Sequence, residues 1–283
     1  MENIGSFRRV APARPAAAYI GGKKQLAARL VELIERVPHV TYAEPFVGMG
    51  GIFLRRGFAP KAEVINDLSG DVTTFFRILQ RHYVPFMEML RYQLTSRREF
   101  ERLTATDPAT LTDLERAARF LYLQRTAYGG KVRGRNFGVS PGMPARFDVT
   151  KLAPLLEEIH ERLAGVVIEC LSYSDFIERY DGPGVLFYLD PPYYGSEDDY
   201  GKGVFSRADF DKLAAQLRGI KGMAIISLND TPEVRAAFEG FEWEEVNLTY
   251  TIAEGAALDA QELIIRTPGL PLREPEPTLF GSG

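Results

Sequence analysis

The 283-residue sequence predicts an α/β fold with a mostly parallel sheet, interrupted by a helical insertion. Two observations carry this reading. Short apolar strands alternate with amphipathic helices at both ends of the chain, and the stretch between them has helical periodicity without strand signals. In order, Leu26, Leu30, Leu33, Ile34 and Val37 recur at helical spacing from Lys24 to Val37, where Pro38 stops the helix. Thr41 to Ala43 reads as a strand, Gly48 to Gly51 as a glycine turn and Ile52 as the start of a short apolar helix. Ala62 to Ile65 is a second strand followed by Asn66 and Asp67. The middle of the chain is helical, most clearly from Leu114 to Tyr128, and ends in a loop rich in glycine and arginine, Gly129 to Gly142. The alternation then resumes: helix Leu152 to Leu163, strand Val166 to Cys170, a strongly apolar strand Val185 to Leu189 and helix Asp209 to Leu217. Strand Met223 to Leu228, helix Pro232 to Phe238 and strands Trp243 to Tyr250 and Leu263 to Arg266 complete it. The expected organisation is one discontinuous α/β domain from residues 1–73 and 151–267, an inserted domain over 74–150, and a flexible tail, rich in Pro and Gly, over 268–283.

Composition narrows the functional classes. No run approaches the ~20 apolar residues of a membrane span, and the basic N-terminal stretch with Arg8, Arg9 and Arg14 lacks the apolar core of a secretory signal, so a soluble cytoplasmic protein is expected. Cys170 is the only cysteine, which excludes an intramolecular disulfide and a cysteine metal cage, and His39, His82 and His160 lack metal-ligand spacing. The net charge of −4 seems unsuited to a polyanionic partner, yet it is unevenly distributed. Residues 75–150 hold thirteen Lys and Arg against seven Asp and Glu, leaving +6 there and −10 on the remainder, the pattern of a local nucleic-acid face on an acidic body.

Three clusters carry chemistry. Glu44-Pro45-Phe46-Val47-Gly48-Met49-Gly50-Gly51 lies between a strand and a helix, where glycines allow a ligand close to the backbone; this fits an adenosine-containing cofactor, although the spacing departs from the dinucleotide G-x-G-x-x-G pattern. Asp67 stands where an acid accepts ribose hydroxyls, and it can equally cap the following helix. Asp190-Pro191-Pro192-Tyr193 follows the apolar strand directly and so lies at the carboxyl edge of the sheet. An amine conjugated to a purine ring is a poor nucleophile. An enzyme that methylates it needs acceptors for the amine hydrogens, and the Asp190 carboxylate and Pro191 carbonyl qualify, while Tyr193 offers a flat face for a base drawn out of the duplex.

On these residues the chain resembles the Dam-type DNA adenine methylases, in the order cofactor loop, target-recognition insertion, D-P-P-Y, over nearly all of Tyr19 to Arg266. Tyr19-Ile20-Gly21-Gly22-Lys23 resembles the family's W-A-G-G-K run, with Tyr19 for tryptophan, and Glu44 to Gly50 resembles E-P-F-x-G-x-G. Ser172-Tyr173-Ser174-Asp175-Phe176 resembles the stretch whose aspartate meets the cofactor's adenine. Phe120 to Gly130 resembles F-L-Y-L-N-R-x-x-Y-N-G, departing at Gln124 and in the Gly129-Gly130 pair. The family often has basic residues where Thr249 to Gln261 reads acidic and small.

The resemblance implies a Rossmann-like methyltransferase domain with an inserted helical target-recognition domain, using S-adenosyl-L-methionine. It places Tyr19, Lys23, Glu44, Pro45, Phe46, Gly48, Gly50, Asp67, Asp175 and Asp190 at the cofactor, and Asp190, Pro191, Pro192 and Tyr193 at a flipped-out adenine in double-stranded DNA. Arg125, Tyr128, Lys131, Arg133, Arg135 and Asn136 become candidate DNA contacts, their division between phosphates and base edges being open at this stage. Direct transfer needs no metal, and the lack of a catalytic cysteine argues against cytosine C5 chemistry. A monomer is expected. Rival readings keep the cofactor but change the acceptor to cytosine N4, RNA adenine or a protein amide, or make the chain a catalytically idle DNA-binding homologue. Pro277 to Phe280 is a candidate docking peptide for a partner, against a plain flexible tail.

Overall fold

The computed structural model describes residues 7–19, 23, 25–138, 142, 144–197, 205–251 and 257–274. Ile20, Gly21, Gly22 and the Pro277–Phe280 segment lie outside the described residues. Seven strands form one sheet: β2 (Thr41–Glu44), β4 (Ala62–Asn66), β5 (Val167–Glu169), β6 (Val185–Leu189), β7 (Met223–Asn229), β8 (Glu242–Thr251) and β9 (Ala257–Arg266). Their order across the sheet is β5-β4-β2-β6-β7-β9-β8. The first five are mutually parallel, and β9 runs antiparallel to both β7 and β8. A small antiparallel pair, β1 (Arg8–Arg9) with β3 (Phe58–Ala59), was not expected from the sequence.

Side chains alternate across the sheet and feed two cores. Tyr42, Ile65, Leu186, Tyr188, Ile225 and Ile264 belong to one, while Ala43, Val64, Phe187, Leu189, Ile226 and Ile265 belong to the other. β6 is buried throughout, as suits a central parallel strand covered on both faces. The first face is covered by α1 (Ala27–Arg36), α2 (Gly70–Arg81) and α6 (Val149–Arg162), and the second by α7 (Tyr173–Tyr180), α8 (Arg207–Arg218) and α9 (Pro232–Ala237). Helix α1 ends at Val37, held extended by the following Pro38. Ser206 and Asp209 form a capping box that starts α8.

The insertion comprises α3 (Tyr83–Leu90), α4 (Arg97–Ala105) and α5 (Asp113–Thr126), the last begun by a Thr112–Glu115 capping box. The expected boundary at residue 74 falls inside α2, which belongs to both parts. Phe75 meets Phe86 and Phe120 of the insertion at 6.2 and 5.9 Å, while Gln80 Nε2 donates to the carbonyls of Leu163 and Val166, each at 2.8 Å. Phe86, Phe100 and Leu121 therefore share one hydrophobic core with Leu30 and Leu186.

The stretch after β9 differs from the expected flexible tail in its first part. Arg273 N donates to Arg36 O at 2.8 Å, Arg36 Nε donates to Arg273 O at 3.2 Å, and Leu270 packs against the core. Apolar contact and backbone pairing hold this segment although its sequence is not periodic. Among the described residues, no helix is long and apolar enough to cross a membrane.

Candidate active site

β2 and β6 are parallel neighbours from which the strand order runs outward in opposite directions, and their carboxyl ends flank the crevice where such sheets bind ligands. The loop after β2 turns at Gly48 (φ +51°) and Gly50 (φ +75°); a Cβ on Gly48 would sit 3.1 Å from the Tyr19 ring, and one on Gly50 2.8 Å from Leu54. Gly48 N donates to Asp67 Oδ2 at 2.9 Å, and Ser69 N to Asp67 Oδ1 at 2.8 Å. Asn66 Nδ2 donates to the carbonyls of Pro45 (2.9 Å) and Leu171 (3.1 Å), and Leu171 N returns a bond to Asn66 Oδ1 at 2.8 Å. The loops after β2, β4 and β5 are thus fastened together through one buried asparagine and one aspartate.

They border a cavity of about 1170 Å³. Of the candidate cofactor residues, Tyr19, Lys23, Glu44, Pro45, Phe46, Gly48, Asp67 and Asp190 line it, together with Pro192 and Arg125, whereas Gly50 is buried within the loop and does not. Sequence reasoning missed an aromatic wall. Tyr173 stacks on Phe46 with centroids 5.7 Å apart and planes 28° apart, Phe205 meets the Phe46 ring edge-on at 6.0 Å, and Tyr173 donates to Asp209 at 3.2 Å. Asp175 stands elsewhere: it is exposed, receives a hydrogen bond from Ser172 Oγ at 2.7 Å and donates its own N–H to that oxygen at 3.1 Å, closing the N-terminus of α7, while Ser172, Tyr173 and Ser174 face the cavity.

Burial raises the carboxyls of this wall, Glu44 to about 8 and Asp67 to about 6. Glu44 accepts from the Tyr42 hydroxyl at 2.6 Å. Behind Tyr42 the Arg56 guanidinium lies 3.7 Å from the ring centroid and 3.0 Å from Glu63, which also takes two 2.7 Å bonds from Arg162. The floor of the cavity therefore rests on a buried Arg–Glu–Arg group.

At the other side Asp190 leaves β6. Lys23 Nζ lies 3.1 Å from its Oδ1, and Ser227 Oγ, itself paired with Tyr188 at 2.8 Å, donates to the same oxygen at 3.3 Å. Burial lifts Asp190 to about 6 against the opposing pull of Lys23. Its side chain keeps 20% of its surface open. Pro191 and Pro192 are buried, and the turn is pinned by Asn229 of β7, which accepts from Tyr194 N (2.9 Å) and donates to Tyr194 O (3.0 Å). Tyr193 reaches back, accepting from Lys23 and donating to Glu262 of β9. Glu262, fully buried at the head of the apolar run Leu263-Ile264-Ile265, was missed; its one signal is a carboxylate where that strand otherwise reads apolar.

The candidate DNA contacts separate into two groups. Tyr128, Lys131, Arg133 and Asn136 are exposed on the loop after α5, closed by the bond from Tyr128 N to Asn136 O at 2.9 Å. Arg125 points inward and donates to Ala16 O at 2.9 Å and twice to Arg146 O at 3.0 and 2.9 Å; Arg135 donates to Lys131 O (3.1 Å) and Gln124 Oε1 (3.3 Å). Gln124 Nε2 donates to both Ala18 O (2.9 Å) and Gly130 O (2.6 Å), so the base of the loop clamps the N-terminal segment that lines the cavity.

A parallel sheet with this strand order, an antiparallel last strand, a glycine loop backed by two acids, and Asp-Pro-Pro-Tyr on the facing strand define a methyltransferase-type α/β enzyme. Residues 19–252 match the model of the D12 class N6 adenine-specific DNA methyltransferases, and the chain belongs to that family. It is 28% identical over 262 residues to the type II methyltransferase M1.LlaDCHI of Lactococcus lactis, covering 84% of this chain and 89% of that one. It is 27% identical over 269 residues to a DNA adenine methylase of Vibrio cholerae (84% and 90%), and 22% identical over 239 residues to the type II methyltransferase M.CviBI of a Paramecium bursaria Chlorella virus (84% and 91%).

Proposed function

We propose that this DNA adenine methyltransferase takes its methyl group from S-adenosylmethionine and works on an adenine rotated out of the duplex, with Asp190 and the Pro191 carbonyl receiving the N6 hydrogens. The convergence of Asp190, Lys23 and the glycine loop on one cavity carries this reading. The donor set fits the cofactor: the Gly48 turn admits a ligand against the backbone, the Asp67 carboxylate keeps lone pairs for ribose hydroxyls beyond its bonds to Gly48 and Ser69, and the Phe46–Tyr173–Phe205 wall offers a face to an adenine ring. Bound there, S-adenosylmethionine supplies an electrophilic methyl on sulfur. Asp175 enters only as the residue that shapes the start of α7.

The chain's own contribution is placement. The bonds that Asp190 takes from Lys23 and Ser227 both fall on Oδ1, so among the described residues Oδ2 is the oxygen left for an amine hydrogen. Such acceptors favour a pyramidal N6 with its lone pair directed in line, and fixing that geometry is worth several kcal/mol, up to ~7–11 for ideal alignment. Buried Pro191 and Pro192 keep the carbonyl and carboxylate in register, and Tyr193 presents a ring to the base. Lys131, Arg133 and Asn136, exposed on the loop after α5, are the proposed contacts to the duplex, with Tyr128 beside them.

The test is transfer of labelled methyl to unmethylated genomic DNA, with Asp190→Ala as control and single-molecule sequencing to locate the product. The expected result is N6-methyladenine in one sequence context, absent with the variant. Label appearing at cytosine, in RNA or in protein would overturn the proposal.

A further inference from the structure

We infer that Glu262 is a positioning residue for methyl transfer: it holds the Lys23 ammonium and the Tyr193 ring together so that Lys23 stays on Asp190 Oδ1 and leaves Oδ2 to the amine of the entering base. The inference rests on the reading of Asp190 and Tyr193 as the site of the acceptor base.

The Lys23 ammonium sits 3.9 Å from the centroid of the Tyr193 ring, 3.1 Å from Asp190 Oδ1 and 3.3 Å from Glu262 Oε2. It also donates to the Tyr193 hydroxyl, so it stands at the hydroxyl end of the ring and on Oδ1, at the edge of the space assigned to the purine and beside the Oδ2 assigned to its amine. An ammonium held by Asp190 alone would be drawn across that carboxylate into the amine's place. Lys23 and Glu262 side chains each expose only 1% of their surface, and a buried ammonium driven from its partner into an apolar surrounding is strongly disfavoured. Glu262 holds it back. One of its oxygens takes Lys23 and the other takes the Tyr193 hydroxyl, so the ammonium is shared between two carboxylates and kept off Oδ2, and the ring keeps its orientation. The platform is rigid, because Glu262 is paired with Asn229 of β7 and Val246 of β8 in the interior of the antiparallel section.

The groups that face Asp190 are Lys23 from the N-terminal segment, Glu262 from β9, Ser227 from β7, Tyr188 from β6 and Glu44 from β2. The Glu262 charge raises the Asp190 carboxyl, and Lys23 lowers it. Neutralising Glu262 leaves Lys23 to Asp190 alone, which binds the ammonium more tightly in the base's place and makes Asp190 the stronger acid.

The experiment compares wild type, Glu262→Gln, Glu262→Asp and Asp190→Ala on a duplex with 2-aminopurine at the target position and on the matching adenine duplex. Cofactor affinity is measured by calorimetry. Glu262→Gln is expected to keep cofactor affinity, lose roughly tenfold to hundredfold in kcat, give a weaker 2-aminopurine signal and move the acid limb of kcat/KM to lower pH. A merely structural role leaves that limb in place. Glu262→Asp retains the charge on a shorter arm; it should keep the wild-type limb while losing turnover, and it decides the matter if the glutamine variant does not fold. Wild-type turnover in Glu262→Asp, or wild-type turnover and limb in Glu262→Gln with Asp190→Ala inactive, overturns the inference alone. Transfer surviving in Asp190→Ala overturns it together with the reading of the site.

Discussion

Gly129 and Gly130 form a controlled pair. Both hold φ at +68°, a conformation that opposes an L side chain by ~1–2 kcal/mol. They differ in what a methyl group would meet. A Cβ on Gly129 has nothing within 4 Å, whereas one on Gly130 lies 2.9 Å from the carbonyl carbon of Ala18, 3.0 Å from its oxygen and 3.1 Å from Tyr19 N. Those are backbone atoms of a segment tied down by Gln124 at Ala18 and by Arg125 at Ala16, so relief requires stretching hydrogen bonds worth ~1 kcal/mol each. Gly129→Ala should therefore destabilise by ~1–2 kcal/mol and Gly130→Ala by ~2–4. With an unfolding entropy of roughly 0.6 kcal/mol per degree for a chain of this length, these are Tm losses of about 2–3 °C and about 3–7 °C by calorimetry. Because Ala18 and Tyr19 line the cavity, Gly130→Ala should also weaken cofactor binding about tenfold, ~1.4 kcal/mol, with Gly129→Ala unchanged. Equal effects of the two substitutions on stability and affinity would refute the proposed clamp.

Four more expectations follow from the same geometry. With Asp190 raised to about 6 and required in its ionised form, kcat/KM should fall below pH 6. Raised carboxyls stabilise the fold below their unfolded values and lose that contribution as pH climbs through the folded ones, so the stability of the free protein should decline from about pH 4 to about 8, and Glu44→Gln should flatten the upper part of the Tm–pH curve. Glu63→Gln strands two buried guanidiniums and should destabilise by ~3–5 kcal/mol in denaturant titration, while Arg56→Met, Glu63→Leu and Arg162→Met combined should be much nearer neutral. Lys131→Ala and Arg133→Ala should each reduce the slope of log Kd for DNA against log salt by ~1, whereas Arg125→Lys should leave the slope and lower Tm, since that guanidinium is bonded to Ala16 and Arg146 carbonyls.

The strand–loop–helix rhythm and the acidic and glycine positions at the sheet edge were legible because they are local: an apolar run followed by Asp190, or glycines after Glu44, announce themselves within ten residues. What was not legible depends on distant contacts. Glu262 is an isolated carboxylate until the last two strands fold back beside β7 and bring it to Lys23, 239 residues away. Arg125 and Lys131 look alike in sequence, and only the path of residues 13–19 beneath α5 decides that one faces carbonyls and the other solvent. The Tyr173 and Phe205 wall comes from two segments that meet each other and Phe46 only once the chain is folded, and Asp175, three residues from a serine, was drawn into a local cap instead of the cavity. β1 and β3 are two residues each, too short for any periodicity.

The helical insertion shares its interior with the sheet: Phe75 and Phe76 of α2 bridge Phe86 and Phe120 on one side and the strands on the other, and the Gln124 and Arg125 bonds close the seam. On the proposed reading, in which this insertion meets the duplex, recognition is consequently not a cassette. Grafting a relative's 74–150 segment would cut through a helix and replace half of a packed interior, so a change of target preference is better sought at the proposed duplex contacts Lys131, Arg133 and Asn136, one at a time, with the aromatic seam left untouched.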